Sequence, residues 1–288
     1  MIEEDIQKDL NWCETLIQNN SSSFYRAFRK LPREQARAVF AIYAFCRIAD
    51  DAIDVDHNPE VVKAMAVKLA AFEVGETPDE PMWRALRWAF DHFPLNIQPF
   101  QEMLIGQLQD VEFQQPKSFN NLLDYCYLVA GTVGLMLCPL LAKPVTIETE
   151  KLSVELGIAM QLTNILRDVG TDYQLNRIYL PEDLMIALGV NPEDLAGPEP
   201  TPELIRLWEH LAAEAESRYH RITVNLDAFD KKARLPVLLS LLYYSKIIKR
   251  CRKARYRLFD ERIYVPGWEK FWLFVTANGQ LLLTSFRQ

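Results

Sequence analysis

Residues 161–181 read QLTNILRDVGTDYQLNRIYLP, a run that is helical, apolar and acidic at once. Asn164, Asp168 and Asp172 recur at every fourth position, so on an α-helix they stand one above another on a single face. Leu162, Ile165, Leu166 and Val169 fall towards the other faces. A helix with this pattern buries most of its girth and directs one narrow polar stripe at a partner. Carboxylates removed from water are costly unless paired or bound to metal. A matching stripe lies upstream, where Asp50 and Asp54 in CRIADDAID are again four apart. Two such stripes facing each other across a bundle make an oxygen-lined site for a hard divalent cation, Mg²⁺ above all.

The rest of the chain is consistent with a large helical core. Apolar residues make up 49% of the 288, while glycine numbers only 10 and strand-type alternation is rare. A net charge of -7 argues against general nucleic-acid binding. Cys13, Cys46, Cys126, Cys138 and Cys251 form no CxxC pair and no zinc spacing. Most lie in apolar helical patterns, as reduced core thiols of a cytosolic protein do. The opening MIEEDIQKDL is acidic and amphipathic, unlike a signal peptide. Residues 125–142 carry no charge over 18 positions, the lower edge of a membrane span. Gly131, Gly134 and Pro139 inside that run favour a central helix of a bundle instead.

Helical spacing and breakers predict helices near 2–17, 23–31, 32–54, 60–75, 79–93, 96–113, 118–141, 147–173, 181–188, 202–228 and 231–258, with a last one from Trp268. Asn20–Ser23 interrupts the first and is expected to cap the second. The proline-rich link at 191–202 is short and joins helices of one pattern, so the expectation is a single all-α domain over residues 1–288.

Each stripe carries an arginine, Arg47 and Arg167. Carboxylates and guanidinium forks at one site suit a metal-bound polyphosphate. Phe24, Phe28, Leu137, Leu156, Met160 and Leu166 are expected to line an apolar cavity beside it. A diphosphate head on a long hydrocarbon tail fits both halves. The implied chemistry is metal-assisted departure of diphosphate, leaving an allylic carbocation in a dry pocket. Asp51 reads as surface charge or as a partner of the ligands. The four histidines show no ligand spacing.

At this point the sequence resembles the squalene/phytoene synthases, the head-to-head prenyl transferases. The matching pieces are SSSF (21–24), AIYAFCRIADDAID (41–54), YCYLVAGTVG (125–134), residues 161–181, and RIYV (262–265), in family order. The resemblance implies an all-α isoprenoid-synthase bundle with a central apolar cavity. It implies two or three Mg²⁺ ions held by Asp50, Asp54, Asn164, Asp168 and Asp172. It also implies substrate contacts from Asn20, Ser21, Ser22, Ser23, Phe24, Tyr43, Arg47, Gln161, Arg167, Tyr244 and Arg262. Tyr125 and Tyr179 are implied to steady cations or assist proton transfer. Short members of this type most resemble the bacterial dehydrosqualene (4,4'-diapophytoene) synthases. The expected reaction is therefore condensation of two farnesyl diphosphates without NADPH. Phytoene synthesis from geranylgeranyl diphosphate and reductive squalene synthesis are the alternatives. A lipid-binding or assembly-factor relative is the non-enzymatic one, which the intact stripes oppose. The expected location is cytoplasmic, with room for peripheral contact at the inner face of the membrane for product release. Oligomeric state stays open.

Overall fold

The computed structural model describes residues 2–197, 199–259 and 263–285. Its α-helices are α1 (Ile2–Asn20), α2 (Ser22–Phe28), α3 (Arg33–Asp54), α4 (Pro59–Glu73), α5 (Pro81–His92), α6 (Gln98–Gln109), α7 (Phe119–Cys126), α8 (Thr132–Leu141), α9 (Ile147–Gln174), α10 (Glu182–Leu188), α11 (Pro202–Val224), α12 (Arg234–Lys253) and α13 (Gly267–Ser285). No strand occurs among the described residues. The all-α expectation holds, and α9 contains the whole Asn164/Asp168/Asp172 stripe.

Local chemistry sets the ends of α9. Thr146 accepts from the Thr149 backbone N–H, and Thr149 Oγ1 accepts from the Thr146 N–H, so two otherwise orphaned donors are satisfied. Glu148 and Glu150 place negative charge at the positive end of the helix dipole. Asn58–Pro59 opens α4, because proline at the first helical turn loses no hydrogen bond. One boundary differs from expectation. Ser21 stands at the start of α2 but makes no side-chain cap; the serine turn faces the site instead.

The uncharged stretch is a core helix with a break. Between α7 and α8, residues Tyr127–Gly131 form a π-helical turn. An i→i+5 turn has no sequence signature and recurs at functional sites. The run Phe119–Leu141 is apolar enough to span a bilayer by composition, with mean hydropathy 1.5, yet α8 packs against α3, α6 and α9. Several of its half-buried residues, Val129, Ala130, Val133 and Gly134, face an internal cavity.

That helix meets α9 almost backbone to backbone. A Cβ at Gly157 would stand 2.1 Å from the Ala130 carbonyl oxygen, and one at Gly134 would stand 2.1 Å from that of Ser153. Neither helix can yield without moving the cavity wall. Gly157→Ala is therefore expected to cost about 3 kcal/mol, as severe overpacking does. For a chain of this size that lowers Tm by roughly 6–12 °C. A melting temperature within 2 °C of wild type, by calorimetry, would sink the close-packing account.

Around this pair the bundle closes. α9 also packs on α11 and α12, while α3 packs on α1, α4, α5, α6 and α8. The buried apolar residues form one cluster running from Leu10 to Ala277. A cavity lined by residues of both α3 and α9 lies between them.

Candidate active site

The cavity has two chambers. The outer one, about 510 Å³, is polar and lined by Asn20, Ser21, Ser22 and Ser23, by Tyr43, Arg47 and Asp50 of α3, by Asn164 and Arg167 of α9, and by Tyr244 of α12. The inner one, about 200 Å³, is apolar, lined by Phe24, Phe28, Leu137, Leu156 and Met160 among others. Ser21, Tyr43, Cys46, Val129, Asn164 and Tyr244 border both, so the chambers are continuous. Gln161 sits in the inner wall and its Oε1 accepts from Asn164 Nδ2 at 3.4 Å.

One expected wall residue is elsewhere. Leu166 lines neither chamber. It is fully buried, and its carbonyl accepts from the Trp208 indole of α11 at 2.9 Å. Leu156, Met160 and Asn164 follow one another at four-residue steps; Leu166 lies two residues further on, about 200° around the helix.

The two stripes approach one another at the C-terminal ends of α3 and α9. Arg177, in the loop after α9, donates to Asp54 at 2.6 Å. Burial and neighbouring carboxylates, Asp54 first, push the Asp50 carboxyl up to about 6, although its side chain is 43% accessible from the cleft. Burial and then Asp168 push Asp172 up to about 7, and Asp54 adds to it. The carboxylates thus repel one another across the cleft in a setting of low polarity. Among the described residues, no three His, Cys, Asp or Glu side chains stand close enough to form a complete metal cage. The donor set nonetheless fits a divalent cation that takes further oxygens from a ligand. It is all oxygen, acidic and split between two walls, which suits hard Mg²⁺ rather than zinc or copper.

Both arginines are already engaged. Arg47 Nε donates to Asp51 at 2.8 Å, and its guanidinium stands 3.5 Å from Asp50. Asp51 is thus the partner of Arg47, not idle surface charge. Arg167 forks onto Asp168, with Nε donating at 2.7 Å.

Tyr125 and Tyr179 come together as a pair. Their rings stack 5.2 Å apart, and both hydroxyls donate to one carboxylate, Asp110, at 2.8 and 3.0 Å. Burial and then Asp110 raise both phenols well above their ordinary range, so both stay protonated. Asp110 is 8% exposed and lies at the end of α6. Burial raises its carboxyl too, opposed by the two phenol hydrogen bonds and by Arg177.

Sequence reasoning missed Asp110, Arg177 and Lys270. Asp110 follows Gln107 by three residues at the end of α6, and both are buried, but α6 carries several other Gln and Glu residues, so its sequence does not single Asp110 out. Lys270 is 7% exposed, borders the outer chamber and donates to Ser22 Oγ at 2.9 Å. Its helix, α13, carries several exposed aromatics, which hid it. Arg262 lies outside the described residues.

Comparison with known proteins agrees with this geometry. The pattern described as squalene/phytoene synthase matches residues 17–269. A 4,4'-diapophytoene synthase of Staphylococcus haemolyticus is 36% identical over 270 residues, covering 92% of this chain and 94% of that one. A phytoene synthase of Thermus thermophilus is 35% identical over 257 residues, covering 88% and 87%. The crystal structure of a dehydrosqualene synthase in complex with ligand superposes with a TM-score of 0.94 at 41% identity, covering 96% of this chain and 98% of that one. Asp50 and Asn164 bring the two stripes to the edge of the two-chambered cavity, while Asp54, Asp168 and Asp172 border neither chamber; with relatives of this similarity along nearly its whole length, the chain belongs to the squalene/phytoene synthase family.

Proposed function

We propose that this protein condenses two farnesyl diphosphates head to head into dehydrosqualene (4,4'-diapophytoene). One observation supports the reading: a polar chamber lined by Asp50, Asn164, Arg47, Arg167 and Lys270 opens directly into an apolar one bordered by Phe28. The head of an allylic diphosphate belongs in the first and its tail in the second.

Asp50 and Asp54 on one wall, and Asn164, Asp168 and Asp172 on the other, are the residues that would hold Mg²⁺. When bound, the cation neutralises charge on the departing diphosphate. Ser21, Ser22, Ser23 and Lys270 offer hydroxyls and an ammonium to the same oxygens, and Arg47 and Arg167 offer guanidinium forks. The first C1–O bond breaks with its electron pair on diphosphate. The 2,3 double bond of the second substrate attacks the resulting cation, and loss of a proton closes a cyclopropane. The second diphosphate then leaves, the cation rearranges, and loss of another proton gives the C30 hydrocarbon. Two diphosphates and two protons leave, and no reductant is consumed. Tyr125 and Tyr179, tied to Asp110, border neither chamber; they would steady cationic carbon from behind the wall, through the negative field of the shared carboxylate. The apolar chamber excludes water that would quench it.

Phytoene synthesis from geranylgeranyl diphosphate is the second reading, because the phytoene synthase relative is nearly as similar, at 35% against 36%. Tail length separates the two. Phe28 is 1% exposed and its ring lies 4.3 Å from that of Phe24. Forcing five more carbons past this pair costs at least the 1–3 kcal/mol typical of overpacking, or about 10- to 100-fold in rate. Phe28→Ala should therefore let the C20 substrate in and yield some phytoene. Product analysis with an equimolar mixture of both diphosphates tests this. A wild type that prefers the C20 substrate would transfer the assignment to phytoene synthesis.

A further inference from the structure

We propose that α13 docks the protein on an anionic lipid bilayer and holds the mouth of the outer chamber against the membrane. The helix has two unlike sides. Lys270 and Ala277 are buried, and Leu273 and Phe274 pack on the core. On the other side Trp268, Phe271, Trp272 and Val275 are 63%, 60%, 61% and 44% exposed. Their positions, i, i+3, i+4 and i+7, make one continuous stripe rather than scattered exposure. Large exposed aromatics in a row mark an interaction surface.

The charge around the stripe identifies its partner. α12, which packs beside α13, carries no Asp or Glu; of its six Lys and Arg, Arg252 is paired with Glu209 and Glu216 of α11 and Arg234 is held on the carbonyls of Asp227 and Phe229, which leaves Lys246, Lys249, Arg250 and Lys253. The carboxylate of α13, Glu269, is bridged by Arg250 at 2.8 Å and faces Lys246 at 3.5 Å. On the α2 side, the Lys30 ammonium lies 4.9 Å from the Phe274 ring centroid. The Arg26 guanidinium lies against Gly267, at the start of the helix. This apron is cationic on a chain whose net charge is -7. Aromatic side chains flanked by Lys and Arg are the composition of a helix lying in the headgroup layer of an acidic membrane. A second copy fits less well. The three rings, each about six-tenths exposed, offer roughly 300–400 Å² between them, against about 800 Å² per partner in a stable interface.

The stripe begins at the mouth. Tyr264, 70% exposed, and Lys270 both border the outer chamber, and Phe271 follows directly. Docking would thus let a product without polar groups pass from cavity to bilayer. That consequence, unlike the docking itself, rests on the proposed function.

The test is co-sedimentation of the whole protein, without substrate, with vesicles of phosphatidylcholine mixed with phosphatidylglycerol. Wild type should bind, more weakly as salt rises, with its tryptophan emission quenched by brominated lipid. Phe271→Ser combined with Trp272→Ser should weaken binding roughly tenfold or more. Turnover in detergent should be unchanged. Lys30→Gln should weaken binding about fivefold on the anionic vesicles and not on pure phosphatidylcholine. The proposal is overturned if wild type stays in the supernatant, or if the double variant binds as tightly. It is also overturned if sedimentation velocity shows a dimer that the same substitutions dissolve. None of these outcomes depends on which diphosphate the enzyme uses.

Discussion

Replacing Asp50 or Asp172 by alanine is expected to lower kcat/KM about 10³-fold, since a metal ligand is worth several kcal/mol of charge stabilisation on a leaving diphosphate. The two residues stand on opposite walls, so each variant tests one stripe. Folding should not suffer. The Asp172 carboxyl is raised from 3.8 to about 7, so the folded state holds its proton more tightly than the unfolded chain does. Stability therefore falls as pH rises through that window, and the ionised carboxylate is a liability above it. At pH 8 without added metal, Asp172→Ala should melt at or above the wild-type temperature while turning over far more slowly. Steady-state kinetics across a Mg²⁺ titration, paired with melting curves, give both numbers. Wild-type kinetics in limiting Mg²⁺ would remove the residue from the metal site.

Asp110→Ala should be the next most damaging change. It removes the acceptor shared by Tyr125 and Tyr179, leaving two buried hydroxyls without their partner. Each costs about 1–3 kcal/mol of stability, so Tm should fall by roughly 5–15 °C. The stacked rings lose their fixed orientation, and kcat should fall on the order of 100-fold, the scale of a misplaced group. Asp110 borders neither chamber, so KM should stay within about threefold. The cyclopropyl diphosphate intermediate should accumulate if the pair serves the second ionisation. A variant in which KM rises and kcat holds would mean that Asp110 shapes substrate binding instead.

What the sequence made legible was what repeats along a helix. Asn164, Asp168 and Asp172 share a face because 3.6 residues complete a turn, and no tertiary knowledge is needed to see it. The same rule identified Leu156 and Met160 as cavity wall, and overreached at Leu166, which helix phase turns towards Trp208. What stayed hidden depends on contacts between distant segments. Arg177 reaches Asp54 across 123 positions, and Lys270 reaches Ser22 across 248. Asp110 matters because α6, α7 and the loop after α9 converge on it, which no spacing reports. The serine turn misled in a different way. Its residue types favour a helix cap, but Ser22 is held by Lys270 and the turn lines the outer chamber. The π-helical turn at Tyr127–Gly131 was unreadable because it differs from an α-helix only in which carbonyl each N–H meets.

On the proposed function, two acidic stripes and one apolar chamber would join two C15 diphosphates without a reductant. The direct measurement is incubation of purified wild-type protein with farnesyl diphosphate and Mg²⁺, without NADPH, followed by mass analysis of the extracted hydrocarbon and assay of released diphosphate. The account predicts dehydrosqualene, with two diphosphates released for each molecule formed. Recovery of unchanged farnesyl diphosphate, or of single-chain products such as farnesol alone, would contradict it.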